Sequence, residues 1–267
     1  TELLHAVDAA HPTRHASIEA VFEQSWKLLG AAERDALSRL CVFHAGFSAE
    51  SARAVAAVPL SVLAALVDKS LLRKDASRIF MHPLVQQFAA RRLGDGQARA
   101  SADRAHASYF HHRMAQNRLA IEDGEREALQ WMDTEFENCR HAWRWSAAHG
   151  AHGDLAKSAL TVLYFCEHRG RFEDGLLLIR KTLESRLVSD DKPVEALLLS
   201  VASHFEFRLD RYADAEATAS RALAASRGKE TYEARLQCLK VLGSCCVRLG
   251  RHADAKRFFQ QAVQMAP

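Results

Sequence analysis

With 267 residues, 48% apolar and 26% charged, the chain has the balance of a folded globular protein and the length of one large or two ordinary domains. Its net charge of +3 is evenly spread: residues 1–93 hold 11 Lys/Arg against 9 Asp/Glu and the remainder 25 against 24, so neither part has the concentrated basic field of a nucleic-acid binder. No apolar run reaches the ~20 residues of a membrane-spanning helix, and no signal peptide is recognisable.

Only 12 glycines and 5 prolines among many alanines and leucines predict a mainly α fold. The six cysteines show no C-x-x-C pairing and lie in apolar helical stretches, where a free thiol acts as a small hydrophobe. A reducing, cytoplasmic setting is expected. The chain starts without methionine inside a helical pattern, which reads as an internal piece of a longer protein.

Thr1 to Ala10 predicts a short helix, the tail (1–13) of a preceding domain, broken at His11-Pro12-Thr13. Ser17 can cap a helix running to Leu29, and Gly30 ends it. Ala31 to Val42 forms the next, Ser48 caps a third, and Pro59 opens a fourth. Leu71-Leu72 and Ile79-Phe80-Met81 are short apolar runs separated by the polar turn Lys74-Asp75-Ala76-Ser77. Pro83 then starts a helix with Leu84, Val85, Phe88, Ala89 and Leu93 on one face, since proline's missing N–H costs nothing at the first helical position. Helix, two-stranded wing and helix make a winged-helix domain over residues 14–93.

LVDKSLL, the wing and MHPLVQQFA, with SIEAVFEQSWKLLGAAERDALSRLCVFHAGFSAESARAV upstream, resemble the winged-helix domain of the STAND signal-transducing ATPases, which include NB-ARC proteins and large bacterial transcriptional regulators. The resemblance implies a bacterial parent whose upstream core binds ATP or ADP, held closed by this domain. In that family a Met-His-Asp motif carries a histidine that reaches the β-phosphate of ADP. Met81-His82 matches its first two positions and Pro83 departs from the third. His82 is therefore the candidate nucleotide-sensing residue, in the intact parent only. Read without the resemblance, His82 ends a strand and helps cap the next helix.

Gly94-Asp95-Gly96 closes this domain, and residues 94–152 form a helical connector predicted as two helices, about 97–118 and 124–149. The second is aromatic on one side (Trp131, Phe136, Trp143), which is read as packing between domains.

Residues 153–267 repeat. Gly170-Arg171-Phe172-Glu173-Asp174-Gly175, Asp210-Arg211-Tyr212-Ala213-Asp214-Ala215 and Gly250-Arg251-His252-Ala253-Asp254-Ala255 align at a period of 40 (211 − 171, 251 − 211). A fixed period of this size means stacked helical hairpins, none able to bury its apolar face alone. The units are similar to tetratricopeptide (TPR) repeats: Leu239, Leu242-Gly243, Leu249-Gly250, Ala255, Phe259, Ala262 and Pro267 fall at the motif's offsets in the third. The extra length over the usual 34 falls at SDDKP (Ser189 to Pro193) and RGKE (Arg227 to Glu230). At least three such units make an α-solenoid.

Catalytic residues are not expected. The chain has no P-loop or G-x-G-x-x-G, and no serine in a nucleophile-elbow turn. His5, His11 and His15, or His106, His111 and His112, lack H-E-x-x-H spacing, so no metal site is predicted. The helix from Pro59 to Ser70 has one Lys and no Arg, Asn or Gln to read base edges, which argues against nucleic-acid binding through this segment. The remaining candidate is the groove lined by each repeat's first helix. Lys157, Leu160, Tyr164 and Glu167 come from the first repeat, Leu197, Ser200, His204 and Phe207 from the second, and Gln237, Lys240, Ser244 and Val247 from the third. This mixed lining suits a protein or small-molecule effector. The reading is a non-catalytic regulatory and sensor segment, without cofactor of its own, partnered by the upstream nucleotide-binding domain; a constitutive TPR adaptor is the alternative.

Overall fold

The computed structural model describes residues 22–226, 228 and 231–265. The expected tail 1–13, the helix over Thr1–Ala10 and the Ser17 cap lie outside them. The chain divides into two compact units, Thr1–Tyr109 and Phe110–Pro267, and the division falls inside one helix. The architecture is mainly α, with one two-stranded sheet among the described residues.

In the first unit, α1 (22–27) leads into α2 (Ala31–Leu40), α3 (Ala49–Ala56) and α4 (Leu60–Asp68). Ser48 caps α3 reciprocally with Ser51: the Ser51 N–H donates to Ser48 Oγ at 3.0 Å, and the Ser48 N–H to Ser51 Oγ at 3.0 Å. Ala57 closes α3 in the left-handed conformation at φ 55. The hairpin follows as expected, but with a narrower turn. β1 (Leu72–Asp75) pairs antiparallel with β2 (Arg78–Met81) from Leu72↔Met81 to Asp75↔Arg78. Lys74 and Asp75 therefore belong to the strand, and Ala76-Ser77 alone make the turn.

The sheet is extended by one residue, because Phe47 and Ile79 exchange two backbone hydrogen bonds of 2.8 Å. α5 (Pro83–Leu93) packs on α2, and its Gln86 amide donates to the carbonyls of Cys41 (2.9 Å) and Phe43 (2.6 Å), satisfying the open C-terminal end of α2. The core is Leu37, Leu40, Phe47, Leu63, Leu66 and Phe88, with Trp26 edge-on to Phe88 at 5.6 Å.

The helix shared by the two units is α6 (Gln97–Gln116). The two connector helices expected become three, since a turn at Asn117, whose Nδ2 donates to the Arg113 carbonyl at 2.9 Å, starts the short α7 (Arg118–Glu122) before α8 (Arg126–Ala148). Trp143 and Phe136 are buried on α8, while Trp131 is half-buried under Arg113, 5.5 Å from the ring centroid.

Three hairpins complete the second unit: α9 (His152–Arg169) with α10 (Phe172–Leu183), α12 (Lys192–Arg208) with α13 (Tyr212–Ala225), and α14 (Tyr232–Arg248) with α15 (His252–Met265). Their first helices begin 40 residues apart (192 − 152, 232 − 192), and so do their second (212 − 172, 252 − 212). The tight turn between partners recurs in the same column: Gly170 (φ 63), Asp210 (φ 59) and Gly250 (φ 72) all take positive φ. Glycine does so at no steric cost, and aspartate is among the few others that tolerate it. The first inserted segment is not a bare loop. α11 (Arg186–Ser189) ends at the segment's first residue, α12 takes up its last two, and Asp191 between them caps α12 by accepting the Val194 N–H at 3.2 Å.

Candidate functional site

The first helices of the hairpins, α9, α12 and α14, bring three predicted residues together. His204 of α12 stands between Glu167 of α9 and Gln237 of α14. Its Nε2 lies 2.8 Å from Glu167 Oε2, and a carboxylate can only accept, so Nε2 carries the proton. Nδ1 is then the acceptor for the Gln237 amide at 3.0 Å. Glu167 also accepts from Arg208 through its other oxygen. The hydrogen bond from His204 and the charge of Arg208 hold the Glu167 carboxyl below the usual range against a burial penalty that works the other way.

Tyr164 lies one helical turn before Glu167. Burial, and then a hydrogen bond to Glu122, push its phenol well above the ordinary range. Arg118 contacts Glu122 at 3.8 Å and Glu233 at 3.2 Å, tying the connector to the third hairpin. The face is thus a cross-braced polar ladder over three hairpins. It can bind by charge and hydrogen bonding but holds no group poised for covalent chemistry.

The other predicted positions fall differently. Lys157 and Lys240 are exposed; Lys157 is 3.9 Å from Asp154 on its own helix, and Lys240 has no ion partner among the described residues. Phe207 and Ser244 are half-buried, and Phe207 packs on Tyr212 at 5.8 Å. Ser200 is corrected: it is fully buried and its hydroxyl donates back to the Leu197 carbonyl at 2.7 Å, so it packs between helices and offers nothing to a partner. Leu160 is buried as well. Arg208, Arg118 and Glu122 belong to the ladder but were not predicted. A carboxylate on an inward face calls for a cation nearby, and the basic column His168, Arg208, Arg248 carried that signal.

His82 occupies the N-cap position of α5, where its Nδ1 accepts the Leu84 N–H at 3.2 Å and its ring is exposed. This is the capping role read from the residues alone. With Nδ1 accepting, the neutral ring carries its proton on Nε2.

The exposed face of α4 presents Leu60, Ser61, Ala64 and Asp68, while Lys69 beyond its end is held by Glu33 at 2.6 Å. Such a face offers one hydroxyl and one carboxylate but no Arg, Lys, Asn or Gln for bidentate base contacts. Among the described residues no group of three or more His, Cys, Asp or Glu could hold a metal ion, and no single helix is long and apolar enough to cross a membrane.

A family model for tetratricopeptide repeats matches residues 194–267. Those residues are tetratricopeptide repeats. The chain is also similar to proteins of Mycobacterium bovis and Mycobacterium tuberculosis named "Putative HTH-type transcriptional regulator", at 28% identity over 184 residues, which is 65% of this chain and 21% of each relative. The chain thus spans about a fifth of the length of the curated relatives it matches. Among solved structures, a STAND protein with a tetratricopeptide repeat sensor from Pyrococcus horikoshii matches at 15% identity with a TM-score of 0.36, over 93% of this chain and 46% of that one. Likeness at that level carries no weight for fold or function. The motif reading and the family model agree on tetratricopeptide repeats in this chain, and the curated proteins it is similar to are named as HTH-type transcriptional regulators.

Proposed function

We propose that this chain is the regulatory and sensor segment of a STAND-type ATPase: a winged helix that restrains an upstream nucleotide-binding core, followed by repeats that receive an effector. The observation that carries the reading is the ladder Glu167–His204–Gln237, which links the inward residues of three successive hairpins. A ligand that engages such a surface alters three repeats at once, and stacked repeats pass strain to their neighbours.

The α4–hairpin–α5 arrangement, with Phe47 bridged to Ile79, supports the winged-helix assignment in the first unit. In the parent, His82 would offer its Nε2–H to an anionic phosphate of bound ADP, which supplies the closed-state contact. No catalytic step is assigned to this chain.

Deleting residues 152–265 from the longer protein tests the reading. ATP turnover should change about tenfold or more, within the 5- to 150-fold that coupling free energies usually span. Turnover equal to that of the intact protein makes the repeats a constitutive adaptor with no switching role.

A further inference from the structure

A cleft of about 400 Å³ lies between α10, α12 and α13, away from the ladder of the first helices. Its walls include Leu183, Leu199 and Ala202, with Glu206 among the lining residues. Glu206 is 2% exposed. One carboxylate oxygen, Oε1, accepts from Arg180 at 2.9 Å, while Oε2 is buried with no hydrogen-bond partner among the described residues. A buried carboxylate oxygen left unpaired is costly, so its retention calls for an explanation.

The hairpin framework does not require this acid. At the 40-residue period, Glu206 stands in the column of Cys166 and Cys246, two small buried thiols. One more lining residue breaks its column in the same direction: Thr218 stands with Leu178 and Phe258. Two polar departures from a repeating pattern thus converge on one cleft of the second hairpin, where Glu195, in a mixed column with Leu155 and Arg235, adds a further acid.

Charge at the mouth completes the picture. Arg221 is exposed and has no ion partner among the described residues, and Arg180 is half exposed with donors beyond the one it gives Glu206. Of the two further acids in the lining, Glu195 is already engaged by Lys192 at 2.8 Å and Glu184 is exposed to solvent. We propose that this cleft binds a small zwitterion of the α-amino acid class, its ammonium on Glu206 Oε2 and its carboxylate on Arg221 and Arg180, with the side chain against Leu183 and Leu199. Arg180, paired with Glu206 Oε1, turns outward in this binding mode to expose Oε2 and share the ligand carboxylate. The volume is in the range of small-molecule sites. The site stands apart from the groove of the first helices and does not rest on the switching role.

Isothermal titration of the 267-residue chain with each of the common amino acids, with putrescine and with acetate is the test. At least one amino acid should bind with a dissociation constant below about 1 mM. Putrescine and acetate, which each present one charge sign, should bind about tenfold more weakly or not at all. Arg221→Ala, at an exposed position, and Glu206→Gln should each weaken the amino acid about tenfold. Glu206→Cys, which restores the residue of the neighbouring hairpins, should fold normally and not bind. The proposal is overturned if no amino acid binds the native chain at millimolar concentration, if putrescine binds as tightly, or if Arg221→Ala binds like the native chain.

Discussion

The Arg211 guanidinium donates to Glu173 at 2.7 Å, joining the second hairpin to the first. Forty residues on, Arg251 reaches back to Glu216 of the second hairpin, and Arg171 lies over the Phe136 ring of α8, 3.9 Å from its centroid. The recurring arginine therefore reaches back to the preceding element each time, to the connector helix from Arg171 and to the previous hairpin from Arg211 and Arg251. Arg211 and Glu173 have side chains 38% and 67% exposed, and exposed pairs contribute little. Arg211→Ala should cost less than about 1 kcal/mol, and raising the salt should erase the difference. Urea unfolding at low and high salt checks this; a salt-independent loss of several kcal/mol would show that the arginine acts through packing instead.

Close approach within the first pair of hairpins should matter more. A Cβ added at Gly175 would sit 2.7 Å from the buried Phe205 ring and 3.0 Å from Cys166 Sγ. Forty residues on, the same columns hold Ala215 and Cys245, which share one core cluster, so a larger residue there is matched by a smaller partner. Alanine gains about 1 kcal/mol of helix propensity over glycine, but overpacking a tight core costs about 1–3. Gly175→Ala should destabilise by up to about 2 kcal/mol in a denaturant titration. A stabilised variant would contradict the contact.

The ladder gives a pH dependence of definite sign. His204 and Arg208 lower the Glu167 pKa in the folded state below its ordinary 4.5, so their contacts stabilise the fold above that value. That contribution is lost as pH falls through the lowered folded-state pKa. The stability gap between the native chain and Glu167→Gln should be widest near neutral pH and shrink on acidification below about pH 4.5. A gap that stays constant down to about pH 3 would mean the carboxylate charge is not what Glu167 contributes.

Burial raises the thiol pKa of Cys41 to about 11, and of Cys166, Cys238 and Cys245 to about 12. All six cysteines are free and buried. Since only a thiolate reacts quickly, a disulfide reagent at about pH 8 should label the folded chain slowly and label all six on denaturation. Fast labelling of the native chain would show that the hairpins open locally.

Much of this was legible in the sequence, because the informative residues act locally. Ser48, Pro59 and Pro83 mark helix starts through their own backbone chemistry, and the arginine column set the hairpin period. What escaped depends on neighbours distant in sequence. Ser200 is polar at a helical spacing that faced the groove on paper, yet the packing of α12 against adjacent helices closes over it. The orphan oxygen of Glu206 was equally invisible, since its surroundings come from α10 and α13. The break at Asn117 rests on one side chain folding back on its own helix, a choice that helix propensity does not foretell.

The nucleotide-switch reading turns on His82, and capping must be separated from sensing there. Asparagine is a strong N-cap residue, so His82→Asn should keep the α5 start and leave the melting temperature nearly unchanged, whereas His82→Ala should lose about 0.5–1 kcal/mol. With its oxygen on the Leu84 N–H, the asparagine amide ends short of the imidazole Nε2 position and gives up that contact, and one charge-assisted hydrogen bond of roughly 1.5–3 kcal/mol corresponds to about ten- to a hundredfold in the open-to-closed ratio. The decisive measurement is the rate at which the longer protein carrying His82→Asn releases ADP. The account predicts release about ten- to a hundredfold faster than from the native protein. Release at the native rate, with the fold intact, would leave His82 a cap alone and contradict the switch.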